Sequence, residues 1–154
     1  NRYKVLREVI DESSQKVLIF VPFKHVIGIL QDKLTKDGIT NAVINGDVSA
    51  QKRTAIFKEF QETNDPRVLI IQPQAAAHGV TLTAANTIVW WGPTSSLETY
   101  AQANARVHRS GQKHPCTVVQ LEGSMVERHI YKMLDQRINV HTKIIDLYQD
   151  ILEL

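Results

Sequence analysis

The chain holds 154 residues, 43% hydrophobic and 22% charged, with a formal net charge of +2, which describes one domain with a single buried core and excludes a disordered chain. Its longest apolar runs, such as Val17–Pro22 and Thr87–Trp91, fall far short of the ~20 residues that cross a bilayer, so no membrane partner is expected. A single cysteine, Cys116, excludes an internal disulfide framework and a cysteine-rich zinc site and fits a reducing, intracellular compartment.

Tyr3, Leu6 and Ile10 share one helical face, so residues 2–13 read as an amphipathic helix. Lys16–Pro22 is a β-rich run ended by proline and reads as a buried strand. Val26, Ile29, Leu30 and Leu34 return to helical spacing, and Gly38 stops that helix. Ala42–Ile44 is a second strand, and Ser49 then caps a helix carrying Ile56, Phe57 and Phe60. Arg67–Ile71 and Thr87–Trp91 are the third and fourth strands. Ser95 and Glu98 fit a capping box that opens a helix through about His108. Cys116–Leu121 is the fifth strand. Ser124 and Glu127 form another capping box, ahead of one or two C-terminal helices.

Strands that read as continuous apolar runs are buried on both faces. Alternating with helices, they predict an α/β fold: a parallel sheet with helices on both faces and right-handed crossovers. Ligands in such folds sit at the carboxyl ends of the strands, so the informative loops are Pro22–His25, Asn45–Ser49, Gln72–Thr83 and Gly92–Ser96.

Charge is unevenly spread. Between Asp65 and Glu122 the only acid is Glu98, while the stretch holds Arg67, Arg106, Arg109 and Lys113 together with His78, His108 and His114. Such a local positive field suits phosphates; chance clustering on a solvated face is the other reading. Within it lies Gln102-Ala-Asn-Ala-Arg106-Val-His-Arg109-Ser-Gly111-Gln112. On a helix Gln102, Arg106 and Arg109 stand at i, i+4 and i+7, on one face. Two guanidinium groups there repel unless an anion or carboxylate lies between them, and their forks match phosphate oxygens. The bland alternative is a pair of arginines bonded to helix carbonyls or surface acids.

This segment, Gln-x-x-x-Arg-x-x-Arg-x-Gly-Gln, resembles the sixth helicase motif of the Swi/Snf-like branch of superfamily-two ATPases. Further pieces follow in the family's order. Val17–Phe20 resembles motif four. Gly46, Ser49, Arg53 and Phe60 resemble the signature after the second strand. His78-Gly79-Val-Thr-Leu82-Thr-Ala-Ala85 resembles motif five, and Val118–Leu121 followed by Glu127 resembles the strand and helix after motif six. The resemblance spans residues 16–135.

What the resemblance implies is a RecA-like helicase C-terminal lobe, a single domain over residues 1–154, belonging to a two-lobe protein. ATP and Mg would be bound mainly by the N-terminal RecA-like lobe of the same protein, and double-stranded DNA would be the track. Arg106 and Arg109 match the arginine-finger positions, where they would neutralise charge developing on the transferred phosphoryl group. Gln102 matches the motif's leading position near the phosphates, and Gly79 and Thr81 are read on the nucleotide side. Loops at strand ends offer N–H groups and short polar side chains to DNA phosphates, and Lys24, His25, Gln74 and His78 are the candidates. Lys24 reads equally as a solvated helix start and Gln74 as a capping amide. Asp47 would repel phosphate. Arg53 reads as a helix arginine pairing with Glu59 or as a DNA contact. Aromatic residues are few, so tracking of the backbone is expected rather than base stacking.

The sequence departs from the commoner pattern at two places. Gln72-Pro-Gln-Ala-Ala-Ala77 stands where motif five usually has Ser-Thr-Arg-Ala-Gly-Gly, and Trp90-Trp-Gly-Pro93 replaces Trp-Asn-Pro. These variants resemble phage and prophage members more than chromatin remodellers, which implies the cytoplasm of a bacterium or an infected host cell.

None of the 7 glycines is followed by lysine, so the chain has no Gly-Lys-Ser/Thr phosphate loop. Ile10-Asp11-Glu12 lies in a helical pattern and not in a first-lobe acidic box. The histidines lack metal-ligand spacing. The chain, which does not begin with methionine, is expected to be a piece of a longer protein and inactive alone. The expected function is the second lobe of an ATP-dependent DNA translocase or helicase. The alternative is a non-catalytic RecA-like module that binds nucleic acid or protein.

Overall fold

The computed structural model of the chain describes residues 2–76, 81–107 and 111–137. Five strands form one parallel sheet: β1 (Lys16–Phe20), β2 (Asn41–Ile44), β3 (Val68–Ile71), β4 (Ala85–Trp90) and β5 (Thr117–Gln120). Their order across the sheet is β2-β3-β1-β4-β5. The helices are α1 (Arg2–Glu12), α2 (Lys24–Lys36), α3 (Ala50–Glu62), α4 (Leu97–Asn104) and α5, described over residues 125–137. The expected α/β parallel sheet covered on both faces is the observed one, with strand ends shifted by a residue or two.

Alternation along the strands sends side chains to two separate cores. Leu18, Phe20, Leu69, Ile71, Ile88 and Trp90 point to one face, where they meet Phe57 and Phe60 of α3, Tyr100 and Ala103 of α4, and Tyr131 and Leu134 of α5. Val17, Ile19, Val68, Ile70 and Val89 point to the other, against Leu6 and Ile10 of α1 and Ile27, Leu30 and Leu34 of α2. The central strands are buried on both faces, which is why they lack polar alternation. Each fully buried Leu, Ile or Phe contributes about 1.5–3 kcal/mol. The chain moves from β1 to β2 on the α2 face and returns through β3, β4 and β5 on the opposite face. Opposite directions on opposite faces are what a constant crossover hand requires.

Local signals behave as the sequence leads one to expect at most ends. Ser49 Oγ accepts from the Lys52 N–H at 3.2 Å and caps α3. Ser124 Oγ accepts from the Glu127 N–H at 3.2 Å, while Glu127 Oε1 reaches back to the Gly123 N–H at 2.7 Å. At α4 the cap is Ser96, accepting from the Thr99 N–H at 3.2 Å, and not Ser95. The Ser95–Glu98 box therefore does not form, and Glu98 pairs forward with Gln102 instead. Asn139–Leu154 lies outside the described residues.

Candidate nucleotide and nucleic-acid site

The motif around the arginines is a helix end followed by a turn. Gln102 lies in the last part of α4 and donates from Nε2 to Glu98 Oε1 at 3.1 Å, one turn earlier. The helix stops at Asn104, and residues 105–107 turn away, so the expected continuation through His108 does not occur. Gln102 and Arg106 thus do not stand on one continuous helical face. The amides show the change: Ala105 N–H still donates to Ala101 O, but the Arg106 and Val107 N–H groups donate three residues back, to Ala103 O and Asn104 O. Arg106 O accepts from the Leu82 N–H at 2.9 Å, and Val107 O accepts from Gln112 Nε2 at 3.0 Å. Both carbonyls, which a helix ending at His108 would leave without an intrahelical partner, are satisfied here by other segments.

Gln112 is a second surprise. Its amide also donates to Ala85 O at 2.9 Å, and its Oε1 accepts from the His114 N–H at 3.2 Å. It ties the turn after α4 to the start of β4. Gly111 precedes it with φ +92°, in the left-handed half of the map where a side chain is strained. The Gly-Gln ending of the motif is thus a backbone requirement followed by a clamp. Arg106 is only 5% exposed within the lobe. Arg109 and His108 lie outside the described residues.

α4 is held in place from both ends. Trp90 Nε1, wholly buried, donates to Asn104 Oδ1 at 2.8 Å. The Trp90 ring lies 4.8 Å from those of Phe20 and Tyr100. Gln120 Nε2 donates to the Tyr100 hydroxyl at 2.7 Å, and burial raises the pKa of that phenol. On α3, Gln61 donates to Thr83 Oγ1 at 2.8 Å and accepts from the Ala84 N–H at 3.0 Å, fixing the approach to β4. Gln61 does not stand out in the sequence, because it acts on a backbone more than 20 residues away; Gln112 is legible only as the last residue of the motif, and its bond to Ala85 is not.

Lys24, His25 and Gln74 follow strand carboxyl ends. Lys24, at the start of α2, pairs through Nζ with Asp47 Oδ2 at 2.6 Å. Both side chains are more than half exposed, at 61% and 70%. The pair joins the loops after β1 and β2, so the acid that was expected only to repel phosphate instead holds the neighbouring lysine. His25 is exposed beside Phe23. Gln74 is exposed in a short 3-10 turn, Pro73–Ala76, that takes the place of the usual motif-five residues. Thr81 is exposed ahead of β4. His78 and Gly79 lie outside the described residues. Arg53 does not pair with Glu59: its Nη2 donates to Val48 O at 3.4 Å, and six residues along a helix put Glu59 on a different face. Among the described residues no group of three His, Cys, Asp or Glu side chains is placed to hold a metal ion, and no helix is long and apolar enough to cross a membrane.

Of the expected tryptophan pair, Trp90 is in the core. Trp91 is half-buried on the opposite face, with the Arg2 guanidinium carbon 5.5 Å from its ring centroid.

Residues 1–111 match the helicase conserved C-terminal domain. The chain is 34% identical over 130 residues to DNA repair protein RAD5 of Cryptococcus neoformans, a match covering 80% of this chain and 10% of that protein. It is 31% identical over 122 residues to an uncharacterized ATP-dependent helicase of Mycoplasma pneumoniae, covering 77% of this chain and 11% of the relative. The chain therefore spans about a tenth of the length of these relatives. A crystal structure of the C-terminal part of the Fun30 ATPase domain superposes with a TM-score of 0.80 at 23% identity, over 86% of this chain and 44% of that one. These relatives lend no support to the phage or prophage variant.

Proposed function

The chain belongs to the helicase conserved C-terminal domain family, in its Swi/Snf-like branch, and from that premise we propose that it is the second RecA-like lobe of an ATP-dependent DNA translocase or helicase. The observation that carries this reading is the segment Gln102–Gln112. Its described part is tied to β4 at Trp90 and Ala85 and to Leu82 just before it, and its sequence carries two arginines in an acid-poor stretch.

ATP would lie between this lobe and the first one, which would hold most of the nucleotide together with Mg. When bound, the nucleotide supplies the phosphoryl group whose transfer builds negative charge, and the donor set here suits that charge: guanidinium groups and the Gln102 amide, with no phosphate loop of its own. Arg106 is buried in the lobe, which fits a charge that holds the motif in shape. To Arg109 we assign the larger share of transition-state stabilisation, a role worth ~10³–10⁵-fold in rate. Lys24, His25 and Gln74, at the strand carboxyl ends, would contact DNA phosphates rather than bases, and His78 is assigned to the same role on its motif position alone. Opening and closing of the two lobes would convert hydrolysis into stepping along double-stranded DNA.

The test is steady-state ATP hydrolysis by the full-length protein containing this chain, with and without double-stranded DNA, for wild type and Arg109→Ala. Stimulation by DNA that Arg109→Ala abolishes while ATP still binds supports the reading. Undiminished stimulation in the variant removes Arg109 from the role and transfers it to Arg106. A full-length protein with no ATPase activity would favour a binding module instead.

A further inference from the structure

The two ends of the described chain meet above the sheet. Arg2, at the start of α1, donates from Nη2 to Glu127 Oε1 at 2.6 Å and from Nη1 to the Trp91 carbonyl at 2.9 Å. Glu127 lies in the first turn of α5 and also accepts from the Gly123 N–H. α1 and α5 pack on opposite faces, so this contact crosses over the carboxyl end of β4 and β5. The Arg2 guanidinium carbon also lies 5.5 Å from the centre of the Trp91 ring.

The space for this pair is made by backbone without side chains. A Cβ on Gly123 would come within 2.1 Å of Arg2 Nη2, and one on Gly92 within 3.2 Å of Glu127 Oε2. Neither side chain is fully exposed, at 26% for Arg2 and 19% for Glu127. Partial burial makes such a bidentate contact worth more than a surface pair.

Trp91 is the first residue after β4, and from it the chain runs through Gly92–Ser96 into α4. On the other side of the same junction, the single Tyr131 hydroxyl proton is shared between the Leu121 and Trp90 carbonyls, at 2.9 and 3.2 Å. Trp90 in turn holds Asn104, at the end of α4. A continuous set of contacts therefore runs from Arg2–Glu127 through the end of β4 to the turn that bears Arg106.

We propose that Arg2 and Glu127 are a positioning pair that fixes the β4–α4 loop and, through it, the arginine-bearing segment. This rests on the reading of the chain as a second helicase lobe. Neither residue touches nucleotide; each acts by holding the geometry of residues that do. A displacement of that segment by a fraction of an ångström lowers turnover without abolishing nucleotide binding.

The test measures DNA-stimulated ATP hydrolysis by the full-length protein for wild type, Arg2→Met, Arg2→Lys and Glu127→Gln, with Arg67→Met as control. Arg67 Nη2 donates to the Ile10 and Ser13 carbonyls, so its loss loosens the far end of the same α1 without touching Trp91. Arg2→Met is expected to lower kcat by ~10-fold with little change in the KM for ATP. Glu127→Gln should act in the same direction, and Arg2→Lys should recover only part of the loss, because the ammonium keeps the charge but lacks the two-nitrogen fork that matches these acceptors. Arg67→Met should keep the wild-type kcat at temperatures where it stays folded. Wild-type kcat in both Arg2→Met and Glu127→Gln overturns the proposal, as does an equal loss in Arg67→Met. Should Arg2→Met not fold, the near-isosteric Glu127→Gln decides. A wild-type protein that shows no DNA-stimulated hydrolysis overturns the lobe reading and this role with it.

Discussion

The indole N–H of Trp90 and the amide oxygen of Asn104 meet at 2.8 Å, joining the last residue of a central strand to the last residue of the helix that follows it. The donor is wholly buried. Replacing Asn104 by alanine should cost about 1–3 kcal/mol, the penalty for a buried donor left unmade. Urea denaturation measures it. A loss no larger than that of an exposed alanine substitution such as Gln74→Ala would show that the bond carries little.

Gln112 serves two carbonyls, those of Ala85 and Val107, from one amide group. Gln112→Ala and Gln112→Glu both remove the donor, and each should destabilise the lobe by about 1–3 kcal/mol. The glutamate variant keeps the length of the side chain, so equal losses in the two would assign the effect to the N–H groups. A glutamate variant as stable as wild type would argue for packing alone.

Alkaline pH should unfold the domain through its buried phenols. Burial pushes the Tyr131 hydroxyl well above the ordinary tyrosine value of 10.0, with the nearby Glu127 carboxylate acting in the same direction. Tyr100 is shifted the same way. A group whose folded pKa is raised holds its proton longer in the folded state. Its stabilisation is complete below the unfolded value and falls as pH rises past it. Denaturation midpoints followed from neutral pH to about pH 11 should decline above pH ~10, and Tyr131→Phe should flatten that limb while lowering stability at neutral pH. A midpoint independent of pH across that range would contradict the assignment.

Lys24 is engaged by Asp47 at 2.6 Å, which reduces the positive charge it can offer to a phosphate. In the full-length protein, Asp47→Asn should tighten binding to double-stranded DNA and steepen its salt dependence by about one counterion, while Lys24→Ala should do the reverse. Anisotropy titrations at several salt concentrations give both slopes. Identical slopes for wild type and both variants would remove these loops from the DNA contact.

Local rules written along the chain were sufficient for the elements. The apolar runs at Val17, Val68 and Ile88 and the helical spacing of Leu6 with Ile10 and Leu30 with Leu34 mark strands and helices because each depends on neighbours within a turn or a pleat. The Ser49 and Ser124 caps are legible for the same reason. Either of the adjacent serines 95 and 96 can cap a helix, the Ser95-x-x-Glu98 spacing favours the first, and the folded chain uses Ser96.

Tertiary structure decided everything that depends on pairs far apart in sequence. The strand order β2-β3-β1-β4-β5 is invisible to periodicity, because any order of parallel strands buries the same runs. α4 ends at Asn104, and the carbonyls of the turn that follows are taken by Leu82 and Gln112, partners that only the fold brings there. The sequence by itself determined which residues carry charge and which runs form the core, since hydrophobicity and propensity are local; it did not determine that Ile29 is exposed and Ile27 buried on α2, or that Arg106 is buried. Which charge meets which partner, as Arg2 meets Glu127 across 125 residues, follows from folding the chain on itself, since hydrogen bonds and ion pairs act only at contact.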